Sequence, residues 1–272
     1  MRVIAWALVG IACSADRDGD GLSNADERRL GSELDRADTD GDTLDDGEEV
    51  ALGTDPLDAD TDDDRYVDGD EVLEGTDPLD AASRIYQGSW PYNRDKDALG
   101  SGAFSGPVAV GDTFGRLVAR DQFGDEVDLY DFGGTGALTV IDASATWCEP
   151  CIVTSEWLAG GPDDYGFDLL GYAPVRDAIL DRQVRWVTVL TDGVDGPRDL
   201  AAWHDRFPVD GVPVLDDPRG EVHAALNEGT TYGGDPYAYY PSFVVLDGEM
   251  RVQVRGFVWD ALDYVAARLP TP

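Results

Sequence analysis

Apolar and polar positions along this chain of 272 residues fall into three regimes. From Met1 to Ala12, one basic residue, Arg2, precedes a nearly unbroken apolar run. Between residues 16 and 80 the apolar positions are sparse and stand singly among acids. From Val108 onward, apolar runs return at the spacings of regular structure. Residues 136–144 (Gly-Ala-Leu-Thr-Val-Ile-Asp-Ala-Ser) predict a buried strand by their short apolar run. Residues 151–158 predict a helix, stopped by Gly160-Gly161-Pro162. Residues 173–180 and 199–206 predict two further helices, and 184–190 a second strand. Residues 242–246 and 251–256 predict a hairpin across Asp247-Gly248, and 259–269 a last helix. Strands alternating with helices, then a hairpin and a helix, predict an α/β sandwich.

Charge changes this picture most in the middle regime. The chain holds 56 acidic and 20 basic residues, a net −36. Residues 16–80 carry 26 acids and 5 bases, net −21, whereas 81–272 carry 30 and 14, net −16. Such acidity excludes a nucleic-acid binder, which needs cations against phosphate. It also excludes docking on anionic lipid through a basic patch. The acidic block has too few apolar residues to bury a core unaided. The expected organisation is a signal peptide at 1–12, an acidic array at 13–82, a linker at 83–106 and an α/β domain at 107–272. Gly, Ser and Pro, with the only lysine, Lys96, mark the linker.

The first regime is too short to span a bilayer, which takes ~20 apolar residues, and reads as the apolar core of an export signal. Gly10-Ile11-Ala12-Cys13 resembles a bacterial lipobox, although Gly10 stands where that family prefers Leu. The resemblance implies lipid on Cys13 and an outer-membrane lipoprotein with a periplasmic or cell-surface face. An ordinary cleaved signal with an incidental cysteine is the alternative. Cys148 and Cys151 are then the only other cysteines, a Cys-x-x-Cys pair rather than a disulfide framework. Zinc would need two more ligands, and His204 and His223 lie far away in sequence.

The acidic block repeats with a period of 22, with starts at 16, 38 and 60. Asp16, Asp18, Asp20, Leu22 and Glu27 occupy positions 1, 3, 5, 7 and 12 of an Asp-x-Asp-x-Asp-Gly-x5-Glu loop. Asp38, Asp40, Asp42, Leu44 and Glu49 repeat it, as do Asp60, Asp62, Asp64, Tyr66 and Glu71, with Asp46 and Asp68 also in phase. Calcium takes ~6–8 oxygens, which three inward carboxylates, the position 7 carbonyl and a bidentate Glu can supply. Gly31, Gly53 and Gly75 mark where a short helix after each loop should stop. Thr43 and Arg65 replace Gly21 at the sharp turn, so the first loop is expected to be the least strained. A period of 22 leaves no room for the two helices of an EF-hand. The repeats resemble bacterial thrombospondin type 3-like calcium repeats, with Gly-Thr-Asp-Pro-Leu-Asp as signature. Dockerin modules have a similar loop-helix period but lack the Asp-Pro-Leu turn. A merely solvated acidic linker would not keep three ligand sets in phase.

Trp147-Cys148-Glu149-Pro150-Cys151 follows the first predicted strand. With Asp142 five residues before Trp147, Tyr240-Pro241-Ser-Phe-Val-Val-Leu-Asp-Gly248, and Gly111-Asp112 followed by Val127-x-Leu129, it resembles the exported thioredoxin-fold thiol–disulfide oxidoreductases that include cytochrome c maturation reductants. The resemblance covers residues 108–269 and implies a thioredoxin-like α/β sandwich. It implies Cys148 as nucleophile at a helix N-terminus, Cys151 as resolving thiol, Asp142 as proton acceptor for Cys151, and a cis Pro241 beside the sulfurs. Asp142 as an exposed strand-end carboxylate, Pro241 as an ordinary loop proline and Trp147 as packing are the plainer readings. Glu149 beside Cys148 disfavours a thiolate and leans the couple toward a reductant. The expansions at 160–172 and 227–239 depart from the family and are expected to flank the site. A peroxiredoxin would need a hydroxyl at Ala145.

The expected function is therefore thiol–disulfide exchange on protein thiols or disulfides with an unspecified electron donor. Its expected cofactors are structural calcium and the redox disulfide, with no organic group. A calcium-dependent surface adhesion or binding lipoprotein, using the fold as scaffold, is the rival, and a redox chaperone or isomerase is a third class.

Overall fold

A computed structural model describes residues 15–100, 102–192, 197–227 and 241–270. The signal peptide, Cys13 and the 228–239 part of the second expansion lie outside the described residues. The chain divides into two compact units, Met1–Ile85 and Tyr86–Pro272.

In the first unit each loop runs into a seven-residue helix: α1 (Asn24–Leu30), α2 (Asp46–Leu52) and α3 (Asp68–Glu74). Gly31, Gly53 and Gly75 end them in the left-handed region, each donating its N–H to the carbonyl of Glu27, Glu49 or Glu71. Two helical turns are too few to persist alone in water. Their apolar side chains do little to compensate, since Leu30, Val50, Leu52 and Leu73 are exposed. Acidic side chains are buried instead: Asp42, Glu27, Asp46, Glu49, Asp64, Asp68 and Glu71. The left-handed turn positions are Gly19 and Gly21 in loop one, Gly41 and Thr43 in loop two, and Asp63 and Arg65 in loop three. Glycine relief thus falls from two residues to one to none along the array, as the sequence predicts for its first loop.

The second unit is built on a five-stranded sheet. Its strands are β3 (Thr139–Ala145), β4 (Arg185–Asp192), β5 (Val214–Asp216), β6 (Ser242–Leu246) and β7 (Val252–Gly256). The order is β5-β4-β3-β6-β7, with β3, β4 and β5 parallel and β6 and β7 antiparallel to their neighbours. A separate hairpin, β1 (Val118–Arg120) with β2 (Glu126–Asp128), precedes it. The helices are α4 (Glu149–Leu158), α5 (Ala173–Leu180), α6 (Pro197–Arg206), α7 (Glu221–Asn227) and α8 (Val258–Ala266). A mixed sheet of this order, with a parallel half entered through helical crossovers and a terminal hairpin and helix, is the thioredoxin-like arrangement.

The predicted elements appear at their expected places, with ends shifted by up to three residues. Strand β5 and helix α7 were not predicted, because three residues and seven carry too little periodicity. Strand β3 is buried along all seven residues because β4 and β6 flank it. One core cluster joins α4, α5 and α8 through Trp157, Val175 and Leu262, with Trp186 and Phe243 from the sheet.

Residues 86–106, expected as a linker, belong to the second unit. Tyr86 and Trp90 are buried, and their polar tips donate to Asp131 (2.7 Å) and Asp121 (2.6 Å). Composition concealed this, since two aromatic anchors suffice to hold a Gly- and Pro-rich segment. The 160–172 expansion also differs from expectation. It follows the C-terminal end of α4, about 15 Å from that helix's start by its rise per residue. There Phe167 packs on Trp157 (4.6 Å) and Trp259 (4.9 Å), and Tyr172 donates to Asp263. Phe167 and Tyr172 thus join the core under α8, whereas Leu169 and Leu170 are exposed, and no residue of the expansion belongs to the apolar cluster around the cysteines.

Trp90→Phe should leave buried Asp121 Oδ2 without that donor and cost the second unit about 1–3 kcal/mol. Denaturant unfolding followed at several urea concentrations measures this. An unchanged midpoint would mean that the segment is only appended.

Candidate functional site

Strand β3 delivers the chain to the cysteines. Its last residue, Ala145, is followed by Thr146 and exposed Trp147, then by Cys148 as N-cap of α4. Cys148 Sγ accepts the Cys151 N–H at 3.2 Å, in the position a capping oxygen usually takes. Pro150, in the first turn, lacks an N–H that would have no partner there. The two sulfurs form a disulfide, with Cα atoms 5.2 Å apart. Cys148 and Cys151 are buried against Leu190, Leu200, Trp203, Phe207 and Val214. Trp147, 62% exposed, is the wide apolar surface next to them in sequence. In the reduced form, the N-terminal N–H groups and dipole of α4 would stabilise a thiolate on Cys148.

Asp142 is buried within β3, not exposed at its end. Its Oδ1 accepts from Ser144 Oγ at 2.7 Å, and Oδ2 has no hydrogen-bond partner. Burial pushes its carboxyl up to about 7, against the pull of hydrogen bonds from Ser144 and Thr188. Pro241 is buried and stands immediately before Ser242, which pairs with Ala143 of β3. Strand pairing thus brings the residue after Pro241 beside the residue after Asp142. The apolar wall from α6 and β5, and the hydroxyls of Ser144 and Thr188, were not read from sequence. Only tertiary contact distinguishes them from other core residues.

The repeats form a second set of sites. In each loop the three aspartates converge: Asp16, Asp18 and Asp20; Asp38, Asp40 and Asp42; Asp60, Asp62 and Asp64 each offer oxygens within 4.8 Å of one another. An ion bound at ~2.3–2.6 Å can reach all members of such a group, which fits calcium. At position 7, the N–H groups of Leu22, Leu44 and Tyr66 donate to Asp20, Asp42 and Asp64 at 2.7, 2.7 and 3.0 Å, which ties each loop back on its own carboxylate. Buried oxygens without a donor recur at positions 3 and 12, on Asp18, Asp40 and Asp62 and on Glu27, Glu49 and Glu71. Burial, and then neighbouring aspartates, push Glu49 up to about 8. For Glu71 burial leads and the Thr76 hydroxyl opposes, leaving it at about 7. So many carboxylates require bound positive charge to stay ionised together. Glu49 does not simply close its own loop: it groups with Asp42 and with Asp68 of the next repeat. Asp46 and Asp68 were legible as repeat members, but nothing in the spacing assigned them to a neighbouring loop.

The family model for the bacterial TSP3 repeat matches residues 16–32, 38–59 and 60–81. No curated protein matches the chain. Among solved structures, the thioredoxin domain of a thiol-disulfide oxidoreductase from Bacteroides vulgatus is 18% identical, with 60% of this chain and 99% of that chain covered and a TM-score of 0.41. A protein named as a thiol:disulfide interchange protein from Chlorobium tepidum is 18% identical over 59% of this chain and 94% of that one, TM-score 0.40. A thioredoxin-like protein from Bacteroides caccae is 15% identical over 59% of this chain and 50% of that one, TM-score 0.42. The chain thus joins bacterial TSP3-type repeats to a thioredoxin-like unit, whose fold is carried by the strand order and crossovers themselves. Among the described residues, no helix is long and apolar enough to cross a membrane.

Asp142 gives a pH signature. Below its ordinary value of 3.8 the carboxyl is protonated folded or unfolded, so burial costs nothing extra. Between there and about 7 the unfolded chain releases the proton and the folded one keeps it, so stability falls as pH rises. Above about 7 the penalty is complete, on the order of 4 kcal/mol at 1.36 per pKa unit. Asp142→Asn should therefore exceed wild type in stability at pH 8, with the gain vanishing near pH 3.5. Urea midpoints across that range test it, and a pH-independent difference would refute the buried-acid account.

Proposed function

We propose that this protein is an exported thiol–disulfide oxidoreductase acting through Cys148 and Cys151, with an N-terminal array that calcium stiffens. The observation that carries the reading is the Cys148–Cys151 disulfide at the N-cap of α4, with exposed Trp147 beside it. The Cys148 thiolate attacks one sulfur of a substrate disulfide; that S–S bond breaks and the other sulfur leaves as a thiolate. The Cys151 thiolate then attacks Cys148 Sγ, which releases the second substrate thiol and leaves the Cys148–Cys151 disulfide. Two electrons pass to the substrate, and the reverse sequence oxidises a substrate dithiol. Asp142 receives the Cys151 proton through its buried carboxylate. Pro241 leaves the chain before β6 free to pair with an extended substrate. Glu149 disfavours the Cys148 thiolate and supports the reducing direction. An electron donor of unspecified identity would re-reduce the pair.

The repeat loops hold calcium through their aspartates, position 7 carbonyls and glutamates. Calcium supplies the positive charge that lets these carboxylates stay ionised and the short helices stay folded. Lipid on Cys13 would anchor the array at the outer membrane, a reading supported by Gly10-Ile11-Ala12-Cys13 alone. A calcium-dependent binding lipoprotein with an idle thioredoxin fold is the competing class.

Wild type should accelerate insulin reduction by dithiothreitol, and Cys148→Ala should fall to the uncatalysed rate. Equal rates for both across several redox buffers would favour the binding class. Chelation should remove helical circular dichroism contributed by α1, α2 and α3, and added calcium should restore it. A spectrum indifferent to calcium would sink the calcium reading.

A further inference from the structure

The two oxygens of Asp142 are not equivalent. Side chains alternate along a strand, so Val140, Asp142 and Ser144 of β3 share one face, as do Trp186, Thr188 and Leu190 of β4. That face carries α4. Val140, Trp186 and Trp157 of α4 belong to one apolar cluster, and Leu190, Cys148 and Cys151 to another. Asp142 pairs with Thr188 across the strands, in register between those clusters. On its other edge it pairs with Phe243 of β6, whose ring meets that of Trp186 at 5.6 Å. Apolar rings thus border a carboxyl that is 1% exposed. Arg185 and Asp192 end β4, Glu149 and Glu156 lie on α4, and Glu221 and His223 on α7; none contributes to the acidity of Asp142. Its polar neighbours are hydroxyls. Ser144, fully buried, donates its Oγ–H to Oδ1 at 2.7 Å, whereas Oδ2 is buried with no hydrogen-bond partner.

We propose that Ser144 is a positioning residue for thiol–disulfide exchange: its hydroxyl holds Oδ1 of Asp142 and leaves Oδ2 as the oxygen that takes the Cys151 proton. The proposal rests on the reading of Cys148 and Cys151 as a redox pair. In that step the Cys151 thiol gives its proton to Oδ2, and its sulfur attacks Cys148 Sγ in the mixed disulfide. The bond from Cys148 to the substrate sulfur breaks, and its electron pair leaves on the substrate as a thiolate. A hydroxyl has one proton to donate, and a hydrogen bond to an ionised acceptor is stronger than one to a neutral acceptor. Ser144 therefore favours the carboxylate over the acid. Burial pushes Asp142 up to about 7, and the Ser144 and Thr188 hydroxyls are what oppose it. Without Ser144 the burial remains and half of the opposition is gone, so fewer molecules hold the proton-accepting form at neutral pH. Anchoring at Oδ1 also fixes the plane of the carboxyl, which a residue bordered only by apolar rings could not do.

Two measurements on the full-length chain test this. The first is carboxyl carbon NMR of labelled aspartate, with the Asp142 signal identified by its loss in Asp142→Asn. That signal should titrate about one pH unit higher in Ser144→Ala than in wild type, the size expected for one lost hydrogen bond to a charged group. The second is the pH profile of insulin reduction. Its acid limb should move up by the same amount, so Ser144→Ala is several-fold slower than wild type near pH 7 and approaches it near pH 9. In an Asp142→Asn background, Ser144→Ala should leave the profile where it is. An unmoved Asp142 titration, a rate lowered equally at every pH, or the same loss in the Asp142→Asn background would each overturn the positioning role. Wild type no faster than Cys148→Ala would instead overturn the redox reading, on which the carboxyl titration does not depend.

Discussion

The α/β unit depends on the complete burial of β3. Paired on one edge with β4 and on the other with β6, it exposes none of its residues to solvent. That burial gives Asp142 an environment in which its charge is costly, and it fixes the direction in which the chain leaves the sheet. The exit matters because Cys148 must meet the first free N–H groups of α4. A strand that frayed would move the sulfur away from the helix end and remove the stabilisation a thiolate needs. The same strand brings the residue after Pro241 into register with Ala143. One hydrogen-bonded ladder therefore sets the relation of the helix-capping cysteine, buried acid and proline.

The repeat unit solves a different problem. It has little apolar surface to bury, and its leucines and valines lie largely exposed. Buried carboxylates take the place of a core, an arrangement that is stable only with counter-charge. Helices of two turns, glycine stops and left-handed turns then serve to hold oxygens at ion-binding distances. Thr43 and Arg65 take left-handed positions without glycine's freedom, so the later loops keep their turn at a cost in backbone strain.

Much of this was legible beforehand. The ligand positions recur in phase at 22 residues, and phase is a property of sequence alone. The helix ends at Gly31, Gly53 and Gly75, the hairpin before α8, and the order of strands and helices also follow from local pattern. Less legible were elements too short to show a period, such as β5 and α7. The segment holding Tyr86 and Trp90 was concealed by its composition, and the 160–172 expansion by its glycines and aspartates.

The chain's own sequence thus determined the candidate residues for chemistry: two cysteines one helical turn apart, and carboxylates at fixed loop positions. Their type and local spacing suffice, because a turn or a first helical turn is a short-range structure. Tertiary structure decided what surrounds them. It buried Asp142, set Leu190, Leu200 and Phe207 around the disulfide, and carried Asp68 to Glu49 of the preceding repeat. These are contacts between segments distant in sequence. They depend on how strands pair and how repeats stack, which no local pattern records.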